Sequence, residues 1–253
     1  MTPTTAVVVT GAASGIGRAT AIALAEVGRP VAVWDLSAER CAKVVEECRQ
    51  AGAPRAVGAS VDVRTPAAVA AAAASAAQAL GPIGGAVHAA GVAFAGSLGG
   101  VDDASWNPVV DVNLRGLAYL VDTLAPALRA SGGGAAVVAV ASVEAWIGHG
   151  NVPAYCASKA GVLGLVRSFA HALAPDRIRV NAVCPGAVDT PMMAPLLERP
   201  GYRQNLEKRI PLRRLAAPRE VASVIRFLLS DEASYVTGQD LIVDGGMLAT
   251  GVG

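Results

Sequence analysis

The sequence predicts an α/β fold, a doubly wound, seven-stranded parallel sheet with helices on both faces. Three observations carry that expectation. Short apolar runs rich in Val and Ala alternate with longer helical stretches along the whole chain. Such continuous runs suit strands buried on both faces, with right-handed helical crossovers between them. A glycine-rich turn follows the first run and opens a helix. That early position weighs against an eight-stranded α/β barrel, whose phosphate sites come late in the chain. No repeat or linker interrupts residues 1–253, so one domain is expected, with 187–215 as a substrate-binding loop or lid within it.

Each element has a local reason. Ala6–Thr10 is an apolar run that ends in Gly11, and a helix is expected over 18–27. Residues 31–34 form the second strand and stop at Asp35. Ser37 is a plausible N-cap for a helix to Ala51, although Arg40 stands where a capping box would place Glu. The third strand is expected over 55–62. Thr65-Pro66 then starts an alanine-rich helix, with Thr as cap and Pro in the first turn. The fourth strand spans 84–88 and closes in Ala89-Ala90-Gly91, and a glycine-rich loop covers 93–100. A helix from Asp103 should break near Asn107-Pro108 and resume over 113–129. After the glycines at 132–134, residues 135–140 form the fifth strand, ending in Ala141-Ser142. Asn151 and Pro153 give cap and first-turn signals for a central helix. The sixth strand spans 178–183, a loop-rich region runs from 185 to 211, a helix covers 218–229 and the seventh strand is 241–243.

Composition narrows the function classes. The chain has 253 residues, 53% hydrophobic and 16% charged, enough for a large core. Its net charge of +1, without a basic tract, argues against nucleic acid as the main partner. The alanine-rich run is too short and weakly hydrophobic to span a membrane, and the N-terminal stretch lacks signal-peptide character. Cys41, Cys48, Cys156 and Cys184 form no C-x-x-C pair, and no His joins them. Free thiols in a cytoplasmic protein and no metal site are expected.

Two stretches point to chemistry. Gly11-x-x-x-Gly15-x-Gly17, with Ser14 and Ile16 between, joins a strand to a helix. Its glycines let backbone approach a pyrophosphate that the helix N-terminus attracts. Asp35, followed by Leu36, ends the second strand where an acid can accept hydrogen bonds from both ribose hydroxyls and repel a 2′-phosphate. Ser14 is neutral and no arginine follows Asp35 before Arg40, so NAD is expected over NADP. The second stretch is Tyr155-Cys156-Ala157-Ser158-Lys159. Tyr and Lys four apart share a helix face, and this chain has 18 Arg but only three Lys. A lysine in so apolar a segment is unlikely to serve solubility. An adjacent ammonium should lower the phenol from its usual value of about 10.

With Asn113, Ser142 and Tyr155/Lys159 in this order after the glycine loop, the chain resembles the short-chain dehydrogenase/reductase family over essentially its whole length. Ser142 stands thirteen residues before Tyr155, the family's spacing. The resemblance implies a Rossmann-like, NAD-dependent oxidoreductase that interconverts a secondary alcohol and a ketone. Tyr155 would be the general acid/base, Lys159 would lower its pKa and hold the nicotinamide ribose, and Ser142 would orient the substrate oxygen. Asn113 would position Lys159 through a water. Asp62-Val63 would meet adenine, Ala90-Gly91 would form the cofactor-side turn, and Pro185, Gly186, Val188 and Thr190 would flank the nicotinamide. A homotetramer is implied too, in keeping with apolar helices over 116–128 and 161–173. The departure is His88-Ala89-Ala90-Gly91, where the family often has Asn-Asn-Ala-Gly. His88 could replace an asparagine by bonding a backbone group. Substrate contacts are expected from Glu144, Trp146, His149, Met192 and Met193, with Leu196 beyond them. Glu144 and His149 could read a polar group on the substrate or serve as solvent-facing or helix-capping residues, while Arg203, Arg209, Arg213 and Arg214 cluster around the lid. The runner-up activity is a 3-oxoacyl-thioester reductase acting on acyl carrier protein. A non-enzymatic dinucleotide sensor would be expected to have lost one of the four residues named.

Overall fold

A computed structural model of the chain describes residues 4–94, 96 and 100–249. The expected glycine-rich loop at 93–100 therefore lies partly outside the described residues. Seven parallel strands form one sheet: β1 Ala6–Thr10, β2 Val31–Asp35, β3 Ala56–Ser60, β4 Ile83–His88, β5 Ala136–Val140, β6 Arg179–Pro185 and β7 Asp240–Val243. Their order is β3-β2-β1-β4-β5-β6-β7. The order reverses between β1 and β4, where Thr10 pairs with His88. In open α/β sheets such a reversal opens a crevice at the strands' C-terminal ends.

The strands are apolar on both faces because both are covered. Val7, Val9, Val87, Val138 and Val183 pack on one side with α1 (Gly15–Ala25), α2 (Ala38–Gln50) and the helix Pro218–Leu228. Val8, Ala86, Val137 and Val180 pack on the other side with α3 (Pro66–Leu80) and the helices Gly116–Ala130 and Pro153–Leu173. Neighbouring residues of one strand thus serve opposite cores, the period-two pattern of a doubly covered sheet.

Three expectations need correction. β3 is shorter than 55–62 and keeps Gly58 where a Cβ would come 3.2 Å from both Cys41 and Val45 of α2. The helix after Asp103 does not break at Pro108. It runs through Pro108 as α4 (Asp103–Val110), capped by reciprocal Asp102–Ser105 hydrogen bonds. It widens into a π-helical turn over Asp111–Arg115 and continues as α5 (Gly116–Ala130). The central helix α6 (Pro153–Leu173) is capped by Val152 rather than Asn151, since the proline ring drives the residue before it out of the helical region. Residues 187–215 carry two short helices, α7 (Ala194–Leu197) and α8 (Tyr202–Arg209), before α9 (Pro218–Leu228).

Two buried arginines close the lower edge of the sheet. Arg29, 1% exposed, donates to Thr5 O at 3.0 Å and Leu229 O at 3.2 Å. Arg179 donates to Leu228 O at 2.7 Å and Ser230 O at 2.9 Å. Both guanidiniums sit at the negative C-terminal end of α9 and satisfy carbonyls the helix leaves open. Burial still pushes Arg29 down to about 10. Arg29→Ala should lower unfolding stability by about 2–4 kcal/mol, because two carbonyls lose a charged donor and the packed stem disappears. A urea midpoint equal to wild type would refute this account of the edge.

Candidate active site

The glycine loop is held by contacts that exclude side chains. Gly11 has φ +63°, and a Cβ there would come 2.6 Å from Ala90 N on the neighbouring β4 turn. A Cβ on Gly17 would collide with the Gly11 carbonyl. α1 starts directly at this turn, with Ser14 as N-cap and no side-chain cap bond. Asp35, at the end of β2, accepts from Ala13 N at 3.1 Å and Leu36 N at 2.8 Å, which fixes its carboxylate against the loop. α2 also brings Arg40 to 3.7 Å from Asp35, so the acid is not a lone charge. Asp62 lies where adenine contact was expected, but it is forked by Arg64 at 2.6–3.1 Å. That hydrogen-bonded pair holds its carboxyl below the usual range. The residues present fit a dinucleotide: backbone and a helix N-terminus for the pyrophosphate, and a fixed acid for the ribose.

Across the strand reversal, His88 ties the loop to the catalytic side. Its Nε2 lies 3.1 Å from Val112 O, and a carbonyl can only accept, so this nitrogen carries the proton. Nδ1 then accepts from Thr10 Oγ1 at 3.2 Å, and the same oxygen accepts from Ala90 N at 3.2 Å. Burial pushes His88 down to about 3, so it stays neutral. Asn113, buried in the π turn beside Val112, clasps Val92 through both backbone atoms, N at 2.8 Å and O at 3.0 Å. Its Nδ2 also donates to Ser158 Oγ at 3.0 Å, and Ser158 Oγ donates to Tyr155 O at 2.8 Å. The Asn113 side chain thus braces the first turns of α6, and its Oδ1 and the Lys159 Nζ both approach Gly91, where a Cβ would lie 3.4 Å from one and 3.6 Å from the other.

On α6, the Lys159 ammonium sits over the Tyr155 ring, 5.5 Å from its centroid, and donates to Val140 O at 2.7 Å. Burial pushes Lys159 down to about 8. Tyr155 moves the opposite way from the expectation. Burial pushes the phenol up to about 12, a Ser142 hydrogen bond opposes that rise, and the Glu144 carboxylate adds to it. A cation above the ring face is held by the π cloud more than by the oxygen, and desolvation outweighs it. Ser142 is buried at the end of β5, and its Oγ also accepts from Glu144 N at 3.1 Å.

Comparison with known proteins identifies the family. Residues 11–248 match the family described as enoyl-(acyl carrier protein) reductase. Cyclohexanol dehydrogenase of Acinetobacter sp. (strain SE19) is 39% identical over 240 residues, covering 94% of this chain and 92% of that protein. Cis-4-hydroxycyclohexanecarboxylate dehydrogenase of Sinomonas cyclohexanicum is 43% identical over 243 residues, 96% of each chain. The crystal structure of a short-chain type dehydrogenase/reductase from Mycobacterium marinum superposes with a TM-score of 0.90 at 32% identity, covering 96% of this chain and 95% of that one. The chain belongs to the short-chain dehydrogenase/reductase family.

Within that family framework, the expected substrate residues divide. Glu144 lies in the 3₁₀ turn Val143–Ala145 beside Ser142, and Trp146, which ends that turn, is exposed. His149 is exposed, and its Nδ1 takes the Asn151 N–H at 3.4 Å. Met192 is exposed and Met193 half-buried at the start of α7, past Thr190, whose side chain faces Gly15. Cys156, Cys184, Ser158 and Arg64 were not anticipated as contributors. Ser158 alone left a signal, a hydroxyl inside a helix one residue before the only buried lysine among those described. No group of three or more His, Cys, Asp or Glu among the described residues is arranged to hold a metal. No described helix is long and apolar enough to cross a membrane.

A buried ammonium depressed from 10.5 to about 8 costs stability wherever it stays protonated. The unfolded chain binds the extra proton between those values, so wild-type stability from this group rises with pH from 8 to 10.5. The cost below pH 8 is about 3 kcal/mol. Lys159→Met should therefore lose activity yet be no less stable than wild type at pH 7. Its advantage in urea midpoint should shrink as pH climbs through that window. A clear loss of stability at pH 7 would contradict the assignment.

Proposed function

We propose that the chain is an NAD(H)-dependent oxidoreductase that interconverts a secondary alcohol and a ketone. The carrying observation is convergence at the strand reversal. Ser142, Tyr155 and Lys159 meet on one side, and the glycine loop with Asp35 lies on the other. Relatives named for cyclohexanol and a hydroxycyclohexanecarboxylate support a small ring alcohol as substrate class. When bound, the nicotinamide supplies the hydride acceptor or donor. Tyr155 exchanges the proton with the substrate oxygen, and Ser142 holds that oxygen by a second hydrogen bond. Lys159 supplies a fixed positive charge beside the phenol and is placed for the nicotinamide ribose. Asn113 keeps the α6 turn in register through Ser158. Gly11, Ser14, Gly15, Ile16 and Gly17 would cradle the pyrophosphate. Asp35 and Leu36 would meet the adenosine ribose, Asp62 and Val63 the adenine, and Ala90 and Gly91 the turn beneath it. Pro185, Gly186, Val188 and Thr190 would flank the nicotinamide, with 187–215 folding over the substrate.

The reading extends to a cytoplasmic homotetramer. Gly164 of α6 has open space where a Cβ would be, and edge strand β7 presents Ile242 at 46% exposure. Of the four lid arginines, Arg203 pairs with Asp189 at 2.9 Å and Arg214 with Glu220 at 2.7 Å, which offsets two of the charges an acidic acyl carrier would meet.

Tyr155→Phe should cut kcat on secondary alcohols at least 1,000-fold, about the scale of a lost general acid/base, while NAD binding changes less than about threefold. Turnover near wild type would remove Tyr155 from proton transfer. Asp35 opposes a 2′-phosphate while Arg40 offsets part of its charge, so kcat/KM should favour NAD over NADP. Asp35→Ala should narrow that ratio by about tenfold or more. A higher kcat/KM with NADP in the wild type would reverse the cofactor assignment.

A further inference from the structure

We propose that the Glu144 carboxylate sets substrate selectivity, favouring alcohols with a second hydroxyl or an ammonium beside the reacting carbinol and turning away anionic ones. This rests on the dehydrogenase reading above and names the substrate class within it. Glu144 follows Ser142 by two residues in the 3₁₀ turn Val143–Ala145. Its backbone N–H donates to Ser142 Oγ at 3.1 Å, the hydroxyl that also hydrogen-bonds the Tyr155 phenol. The Glu144 backbone is therefore pinned beside the Ser142 hydroxyl. Its side chain is half-buried and turns to α6, where Oε2 accepts the thiol proton of Cys156 at 3.4 Å. Cys156 is the chain neighbour of Tyr155.

A thiol is a weak donor, and a carboxylate has room for about four hydrogen bonds. No basic side chain among the described residues pairs with Glu144. The nearest cation of the site, Lys159, is committed to Val140 O and the Tyr155 ring. Glu144 thus brings an acceptor-rich negative charge to the reacting centre with most of its capacity unspent. The charge is felt there, since it acts to raise the Tyr155 phenol. A hydroxyl or ammonium adjacent to the carbinol supplies the missing donor. A substrate carboxylate in the same place meets like charge in a partly dry setting, where repulsion is strong.

The test uses the whole enzyme with NAD and three matched rings: 1,2-cyclohexanediol, 2-aminocyclohexanol and 2-hydroxycyclohexanecarboxylate. Wild type should oxidise the diol and amino alcohol with kcat/KM about tenfold or more above the carboxylate. Glu144→Gln, which keeps shape but removes charge, should collapse the ratio of amino alcohol to carboxylate by about tenfold. It should also move the pH profile of oxidation to lower pH, because the phenol loses a neighbour that raises it. A purely structural role would leave that profile in place. Cys156→Ala, which removes only the thiol, should keep the wild-type preference. An unchanged ratio in Glu144→Gln, with wild-type turnover intact, overturns the selectivity role alone. Failure of the wild type to oxidise any of the three, or cyclohexanol, overturns the dehydrogenase reading and this inference with it.

Discussion

The site hangs on the reversal of strand order between β1 and β4. On either side of that line the chain leaves the sheet in a different direction, which opens a crevice without removing any core residue. The seam is closed by one buried polar chain, from Ala90 N to Thr10 Oγ1, to His88, to Val112 O. Every member is satisfied, and among the described residues no buried side-chain nitrogen or oxygen lacks a partner. A fully satisfied network in a dry interior is stiff, and this one ties the start of the glycine loop to the turn that bears Asn113. Cofactor side and catalytic side therefore share one mechanical reference.

The catalytic pair is an arrangement the core opposes. Tyr155 and Lys159 both sit where their charged forms are disfavoured, pushed up to about 12 and down to about 8. The helix bears this because its other buried positions, among them Val162, Leu163, Val166 and Leu173, are ordinary apolar packing. Ser158 and Asn113 then fix the turn without adding charge. A lysine held this way is pre-oriented, and its ammonium needs no reorganisation when an oxygen nearby becomes negative.

Much of this was legible in the sequence. The alternation of apolar runs with helical stretches gave seven strands in the right places, because burial on both faces leaves an unmistakable run of Val and Ala. The spacing of Ser142, Tyr155 and Lys159 carried the family, which the comparisons bear out. What the sequence hid depends on three-dimensional neighbours. The sign of the Tyr155 shift follows from desolvation that no spacing reveals. Arg40 reaches Asp35 only because α2 starts directly beside β2, and Arg64 folds back on Asp62 through a local turn. Pro108 looked like a break, whereas a proline six residues into α4 costs one hydrogen bond, and the wider turn after it absorbs the disturbance.

That wider turn has a consequence for how the molecule can change. A π turn is an α-helix with one residue too many, rare because it loosens the backbone around a hollow axis. Residues 111–115 hold Asn113 within that turn, bonded to Val92 and Ser158. Removing one residue there would let α4 and α5 merge into a single regular helix with better local bonding. Because the wider turn takes up that residue, α5 would keep its phase, with Leu117, Leu120 and Leu124 still on their core face. What the repair would cost is the Asn113 brace, whose bonds to Val92 and Ser158 start from the wider turn, so the irregularity serves the site and not the core.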